Sequence, residues 1–228
     1  MKPIAVMILT ILLILTGLSY ATTYYVSKTG SDTNNGRSWA AAWRTENYTN
    51  GHIAAGDTVR FGTGKWFNTR LHPPTGGTFN TRTVYACSTF SPATWHNSIM
   101  SGGDSVTTWT VYSGNIWQAT KSGSDCQGDG TIATLSQNDS LMINMSSLGG
   151  VNAQGRFYHN GTTIYAWLFG NGNPNTKEMI ASCHEVVGLN HDSQKHILFY
   201  GLDFRMGKQG VIFFCDNAGY ETTRCDVK

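Results

Sequence analysis

Charged side chains are scarce in this sequence: they make up 13% of its 228 residues, and the formal net charge is +2. Nucleic acid demands a basic face, so the balance gives no electrostatic case for that partner. It gives little more for a polyanion held by charge alone. No Cys-x-x-Cys occurs among Cys87, Cys126, Cys183, Cys215 and Cys225, so neither a zinc ribbon nor a thioredoxin-type site is expected. Gly-x-Ser-x-Gly, the phosphate loop and the dinucleotide fingerprint are all missing. Beyond the first 21 residues, no run is apolar enough to span a membrane.

What is present begins with an address. One positive side chain in Met1-Lys2-Pro3 precedes an uncharged apolar run from Ile4 to Leu15, and Ser19-Tyr20-Ala21 closes it with small residues. That order is a secretory signal cleaved after Ala21, and the apolar run is short for a retained anchor. The expected location is therefore secreted, periplasmic or extracellular, with no membrane attachment after cleavage. Export permits disulfides, and the odd count of five cysteines leaves at least one thiol over. Sequons stand at Asn47, Asn138, Asn144 and Asn160 and matter only in a glycosylating host. The chain is rich in glycine (26 residues), and seven Trp and ten Tyr are many for its length. Aromatic rings stack on sugar faces, but they more often fill β cores.

Short strands with turn clusters between them run along the whole chain. Thr22–Ser27 reads as a strand, Lys28–Gly36 as a turn, and Trp39–Ala55 as a short, imperfect helix. Gly56-Asp57 turns into a strand over Thr58–Phe61, and Trp66–Leu71, Thr83–Cys87 and Ser98–Met100 follow as further strands. Trp109–Trp117 reads as strand, turn and strand. Asn160-Gly161 sits between two alternating aromatic runs, Gly155–His159 and Thr162–Leu168, a strong hairpin signal.

The order of three segments carries a resemblance. Tyr24-Tyr25-Val26-Ser27, then Gly30-Ser31-Asp32 with Gly36, then Ala55-Gly56-Asp57-Thr58-Val59, following a signal peptide, resembles the opening of secreted right-handed parallel β-helix proteins, the pectate-lyase-like superfamily. Ala55 stands where that family usually has proline. Residues Trp109–Asn115 and Gly155–Leu168 resemble a small β module often inserted between its early coils. The resemblance implies an all-β fold, a right-handed parallel β-helix (solenoid) interrupted by a small antiparallel insertion. Residues 1–21 are then the signal, 22–100 the N-terminal cap and first coils, 101–175 the inserted module, and 176–228 further coils. Setting Leu202 on Cys225 places Asp203 on Asp226 and Phe204 on Val227 at an offset of 23, and Val187 falls on Val211 at 24, plausible lengths for one coil. A solenoid end needs a cap. The sequence stops at Asp226-Val227-Lys228 inside an apparent strand, so the expectation is an incomplete protein.

Alternation along the aligned strands puts Asp203, Arg205, Asp226 and Lys228 outward if Leu202, Phe204, Cys225 and Val227 face in. Neighbouring strands lie about 4.8 Å apart, so Asp203 and Asp226 would be stacked carboxylates beside stacked Arg205 and Lys228. Close carboxylates raise one pKa or bind a cation. These four residues are the candidate catalytic set, suited to hydrolysis by a carboxyl pair or to cation-assisted elimination at a uronic acid. A solvated charge ladder is the competing account. Asp32 with Asn34 and Asn35 offers oxygens for calcium, although all three are ordinary turn formers. Cys183, His184, His191 and His196 match no standard zinc spacing.

The resemblance thus implies a carbohydrate-active protein, a polysaccharide lyase or glycoside hydrolase whose partner is a polysaccharide or glycan, with calcium as cofactor if it is a lyase. A non-catalytic surface or carbohydrate-binding β-helix, adhesin-like or tail-spike-like, is the alternative.

Overall fold

The computed structural model describes residues 21–74, 77–78, 80–88, 97–122, 131–187 and 196–208. The leader up to residue 20, Asp226, Lys228, His191 and Cys126, Cys215 and Cys225 lie outside them.

The chain is all-β, with no α-helix among the described residues. Two sheets are wholly parallel. The first orders β1 (Thr23–Val26), β2 (Thr58–Phe61), β4 (Thr83–Cys87) and β15 (Ile197–Tyr200). The second orders β16 (Leu202–Arg205), β5 (Ser98–Ser101) and β3 (Gly64–Trp66). After β1, three passages of the chain (β2 with β3, β4 with β5, β15 with β16) each contribute one strand to each sheet. The pairing is in register, Val59 opposite Tyr85 and Tyr85 opposite Phe199. Paired rings consequently stack, those of Tyr85 and Phe199 lying 5.3 Å apart, and Phe61, diagonal to Tyr85 on β2, sets its ring 6.3 Å away. Val26, Val59, Phe61, Trp66, Met100 and Leu202 join them in one buried core.

The chain leaves this core after Met100, builds a second core between Val106 and Cys183, and returns at Val186. Two further sheets enclose the second core. One is antiparallel, ordering β10 (Ser140–Leu141), β9 (Leu135–Gln137), β14 (Met179–Ser182) and β6 (Gly103–Ser105). The other is mixed, ordering β11 (Ile143–Asn144), β12 (Arg156–His159), β13 (Thr163–Trp167), β8 (Ile116–Thr120) and β7 (Thr110–Ser113). The hairpin expected around Asn160-Gly161 joins β12 to β13. Its turn is held by Asn160 Oδ1, which accepts from the backbone N–H of Thr162 and Thr163 at 3.1 and 2.8 Å. Gly161 supplies the left-handed φ of +101°.

The helix expected over Trp39–Ala55 does not form. Two single 3₁₀ turns, Trp39–Ala41 and Glu46–Thr49, stand in its place. Between them Trp43 is extended. Its N–H donates to Tyr25 O at 2.9 Å and its carbonyl accepts from Ser27 N at 2.8 Å, a bridge to β1. Thr45, Asn47, Thr49 and Asn50 are poor helix formers, so the strand contact and the burial of the Trp43 ring prevail. Tyr24 stacks on that ring at 4.6 Å.

The recognition segments have physical tasks here. Asp57 accepts from Thr22 N and Ala54 N, both at 2.7 Å, and so fastens the start of β1 to the turn before β2. Asp32 accepts from the N–H groups of Arg44 and Thr45 at 2.7 and 3.0 Å and from the Thr45 hydroxyl at 2.8 Å. Asn34 donates to Ala42 O and Asn35 accepts from Arg37 N. The side chains weighed as calcium ligands are thus engaged in turn bonds.

Candidate functional site

Asp203 and Arg205 occupy alternate positions on β16, while Leu202 is buried and Phe204 packs against the first core. The two charged residues therefore leave the sheet on its outer side, as alternation requires. Arg205 Nε and Nη2 donate to Asp203 Oδ2 at 3.0 and 2.6 Å. Arg205 Nη1 also reaches Asp139 Oδ2 at 3.0 Å. Across the same sheet, Lys65 on β3 donates to Asp139 Oδ2 at 3.1 Å and to Glu178 Oε1 at 2.6 Å. Asp203, Arg205, Asp139, Lys65 and Glu178 form one chain of alternating charge. It joins the outer face of the second parallel sheet to the antiparallel sheet of the second core.

Asn138 and Asp139 make the β9–β10 turn, both with positive φ, and this aims the Asp139 carboxylate at the two cations. Burial works against ionisation of Asp139, yet hydrogen bonds from Lys65 and Arg205 outweigh it and hold the carboxyl below its ordinary pKa. Burial likewise opposes the Lys65 ammonium, and the bonds to Glu178 and Asp139 reverse this and raise its pKa. The bonds to Asp203 push the Arg205 pKa up. Each carboxylate of this set touches at least one of the two cations. Among the described residues the arrangement is a clamp of paired charges. Asp139 is 48% exposed, so its pairs are each worth about 0–1 kcal/mol. Asp139, Lys65 and Glu178 escaped the sequence reading because their contacts join residues far apart in the chain; Lys65 and Glu178 are 113 positions apart.

The Cys/His set does not assemble into a metal site among the described residues, where no group of three or more His, Cys, Asp or Glu is placed to hold an ion. Cys183 is disulfide-bonded, and its thiolate is unavailable to a metal.

A different surface lies on the mixed sheet of the second core. Phe157, Ile164 and Ala166 face that core, so Tyr158 and Tyr165 face away from it. They are direct partners across β12 and β13, and their rings lie 6.3 Å apart with planes 17° from parallel. Tyr112 on β7 sets its ring 5.0 Å from Tyr165 in an edge-on contact. Gln118 and Thr110 complete the row. The surface is aromatic, hydroxylated and uncharged along that line.

No family model and no curated protein matches this sequence. Solved structures do. XylC in complex with xylose superposes with a TM-score of 0.68 at 16% identity, over 82% of this chain and 36% of that one. A structure described as a glycoside hydrolase superposes with a TM-score of 0.59 at 12% identity, over 82% of this chain and 51% of that one. The chain thus spans about half the length, or less, of the solved structures it matches. What it shares with them, at these identities, is a fold.

Proposed function

We propose that this chain belongs to an exported protein of the right-handed parallel β-helix class that acts on glycans, with hydrolysis favoured over elimination. The observation that carries the reading is the superposition of 82% of the chain on a protein solved with xylose bound. The second neighbour, a glycoside hydrolase, favours the hydrolytic reaction. Two in-register parallel sheets built from successive passages of the chain support the solenoid. On this reading the first coils comprise residues 22–100, and the second core belongs to a module inserted between coils. The tyrosine row of Tyr112, Tyr158 and Tyr165 is its sugar-contacting surface, since aromatic faces combine apolar area with a hydroxyl that can bond to a wet ligand. Asp203 and Arg205 take part as charges that orient the glycan.

The test is a panel of neutral glycans and uronic-acid polymers, assayed for new reducing ends and for the ultraviolet absorbance of unsaturated products. New reducing ends without unsaturation on a neutral glycan are expected. Unsaturated products would replace hydrolysis by elimination. Saturable binding without either product would make the protein a glycan-binding module, and neither binding nor turnover on any glycan would overturn the reading.

A further inference from the structure

A cleft of about 300 Å³ opens beside the start of the first core, and its lining includes no member of the tyrosine row or the charge clamp. It is lined by Lys28, Arg44, Thr45, Glu46, Asn47, Trp66, Phe67 and Asn68. The chain brings these together from the loop after β1, the 3₁₀ turn at Glu46–Thr49, and the exit of β3. The volume falls at the small end of ligand pockets, roughly 300–1,000 Å³, and suits a ligand of one ring.

The lining offers more donors than acceptors. Lys28 sets its ammonium 4.6 Å from the centre of the Trp66 ring, and neither it nor Arg44 forms a salt bridge among the described residues. Trp66 is 1% exposed, and its indole N–H is buried with no hydrogen-bond partner. Asn47 is already committed, donating to Asn68 O and accepting from Arg70 N. Glu46 is the one acid of the lining and is 4% exposed, with Oε1 accepting from the Thr69 hydroxyl at 3.0 Å. Burial raises the Glu46 pKa, so it loses its charge sooner on acidification than an exposed carboxylate. Asp32, behind the same turn, has its carboxylate filled by Arg44 N, Thr45 N and the Thr45 hydroxyl.

From this arrangement we infer that the cleft is a binding site for a carboxylate, held by the Arg44 guanidinium and the Lys28 ammonium beside the Trp66 ring. A guanidinium presents a planar fork that matches a carboxylate with two parallel bonds. The carboxylate is borne either by a small free acid or by an acidic sugar. The site is separate from the glycan-contacting surface proposed above, and either can fail without the other.

Calorimetric titration of the whole chain with glucuronate, xylose and acetate separates these cases. Xylose has the ring of glucuronate without the carboxylate. Glucuronate is expected to bind at least about tenfold tighter than xylose, the effect of one charge-assisted bond. Arg44→Gln and Lys28→Met should each weaken glucuronate by a similar factor. Both positions are exposed, so the variants should keep the wild-type circular dichroism. Acetate binding as tightly as glucuronate would assign the free acid as ligand, and much weaker acetate would assign the acidic sugar. Equal affinity for glucuronate and xylose, no binding of either acid, or full glucuronate affinity in both variants would overturn the inference. Xylose binding should be unaffected by Arg44→Gln, because xylose carries no carboxylate, and loss of the acids alone would leave the glycan reading intact.

Discussion

Replacing Trp66 by alanine is expected to lower stability by about 3–5 kcal/mol, the range for removing a large aromatic side chain from a core. Trp66 is 1% exposed and meets Phe61 edge-on at 5.8 Å. On β3 it pairs with Met100, and Met100 pairs with Phe204, so it fills one layer of the second parallel sheet. Its loss would leave a void that the backbone of three paired strands cannot close, and would remove the ring beneath Lys28. Trp39→Ala is the control. Trp39 is 43% exposed and touches Tyr25 edge-on, so its replacement should change stability by no more than about 1 kcal/mol. Urea denaturation of the two variants reads the difference directly. Equal midpoints would mean that the parallel sheets do not carry the core described here.

Phe157→Ala should cost a comparable amount, about 3–5 kcal/mol, but in a different place. Phe157 is fully buried in the second core, opposite Ala166 on β13. The two cores share no buried residue, and the joints between them include the charge clamp through Lys65, Asp139, Glu178 and Arg205. Such exposed pairs couple weakly. Hydrogen exchange should therefore show lost protection in β8, β12 and β13 and retained protection in β2 and β4. Protection lost evenly across all five strands would show a single cooperative unit.

Much of this fold was legible in the sequence because its signals are local. Thr22 to Ser27, Thr58 to Phe61 and Thr83 to Cys87 are dense in β-branched and aromatic residues, and each contains a strand of the first parallel sheet. Asn160-Gly161 marked its hairpin. Asp32 and Asp57 stood out as parts of a pattern, and both prove to tie a turn to a strand or to a neighbouring turn. The reading failed where tertiary contact overrides local preference. Three alanines before Trp43 resemble a helix start, but the Trp43 backbone bridges to β1 instead. Sites were harder still. Asp203 and Arg205 could be placed on one face by alternation. Their link to Asp139 depends on a turn of the second core, more than sixty positions away, meeting the sheet. The cleft joins Lys28, Arg44, Glu46 and Trp66, which carry no shared motif and meet only because β1, the 3₁₀ turn and β3 are neighbours in space.

The central claim, that this protein engages glycans, is tested most directly by titrating the whole chain with an oligosaccharide built of xylose. The tyrosine row predicts saturable binding with a negative heat-capacity change, because ring faces are buried on contact. Tyr165 lies between Tyr158 and Tyr112, so Tyr165→Ala should weaken binding by about tenfold, the order expected for removing a central aromatic contact. No binding of this or any other neutral oligosaccharide, at concentrations where xylose-binding proteins saturate, would contradict the account.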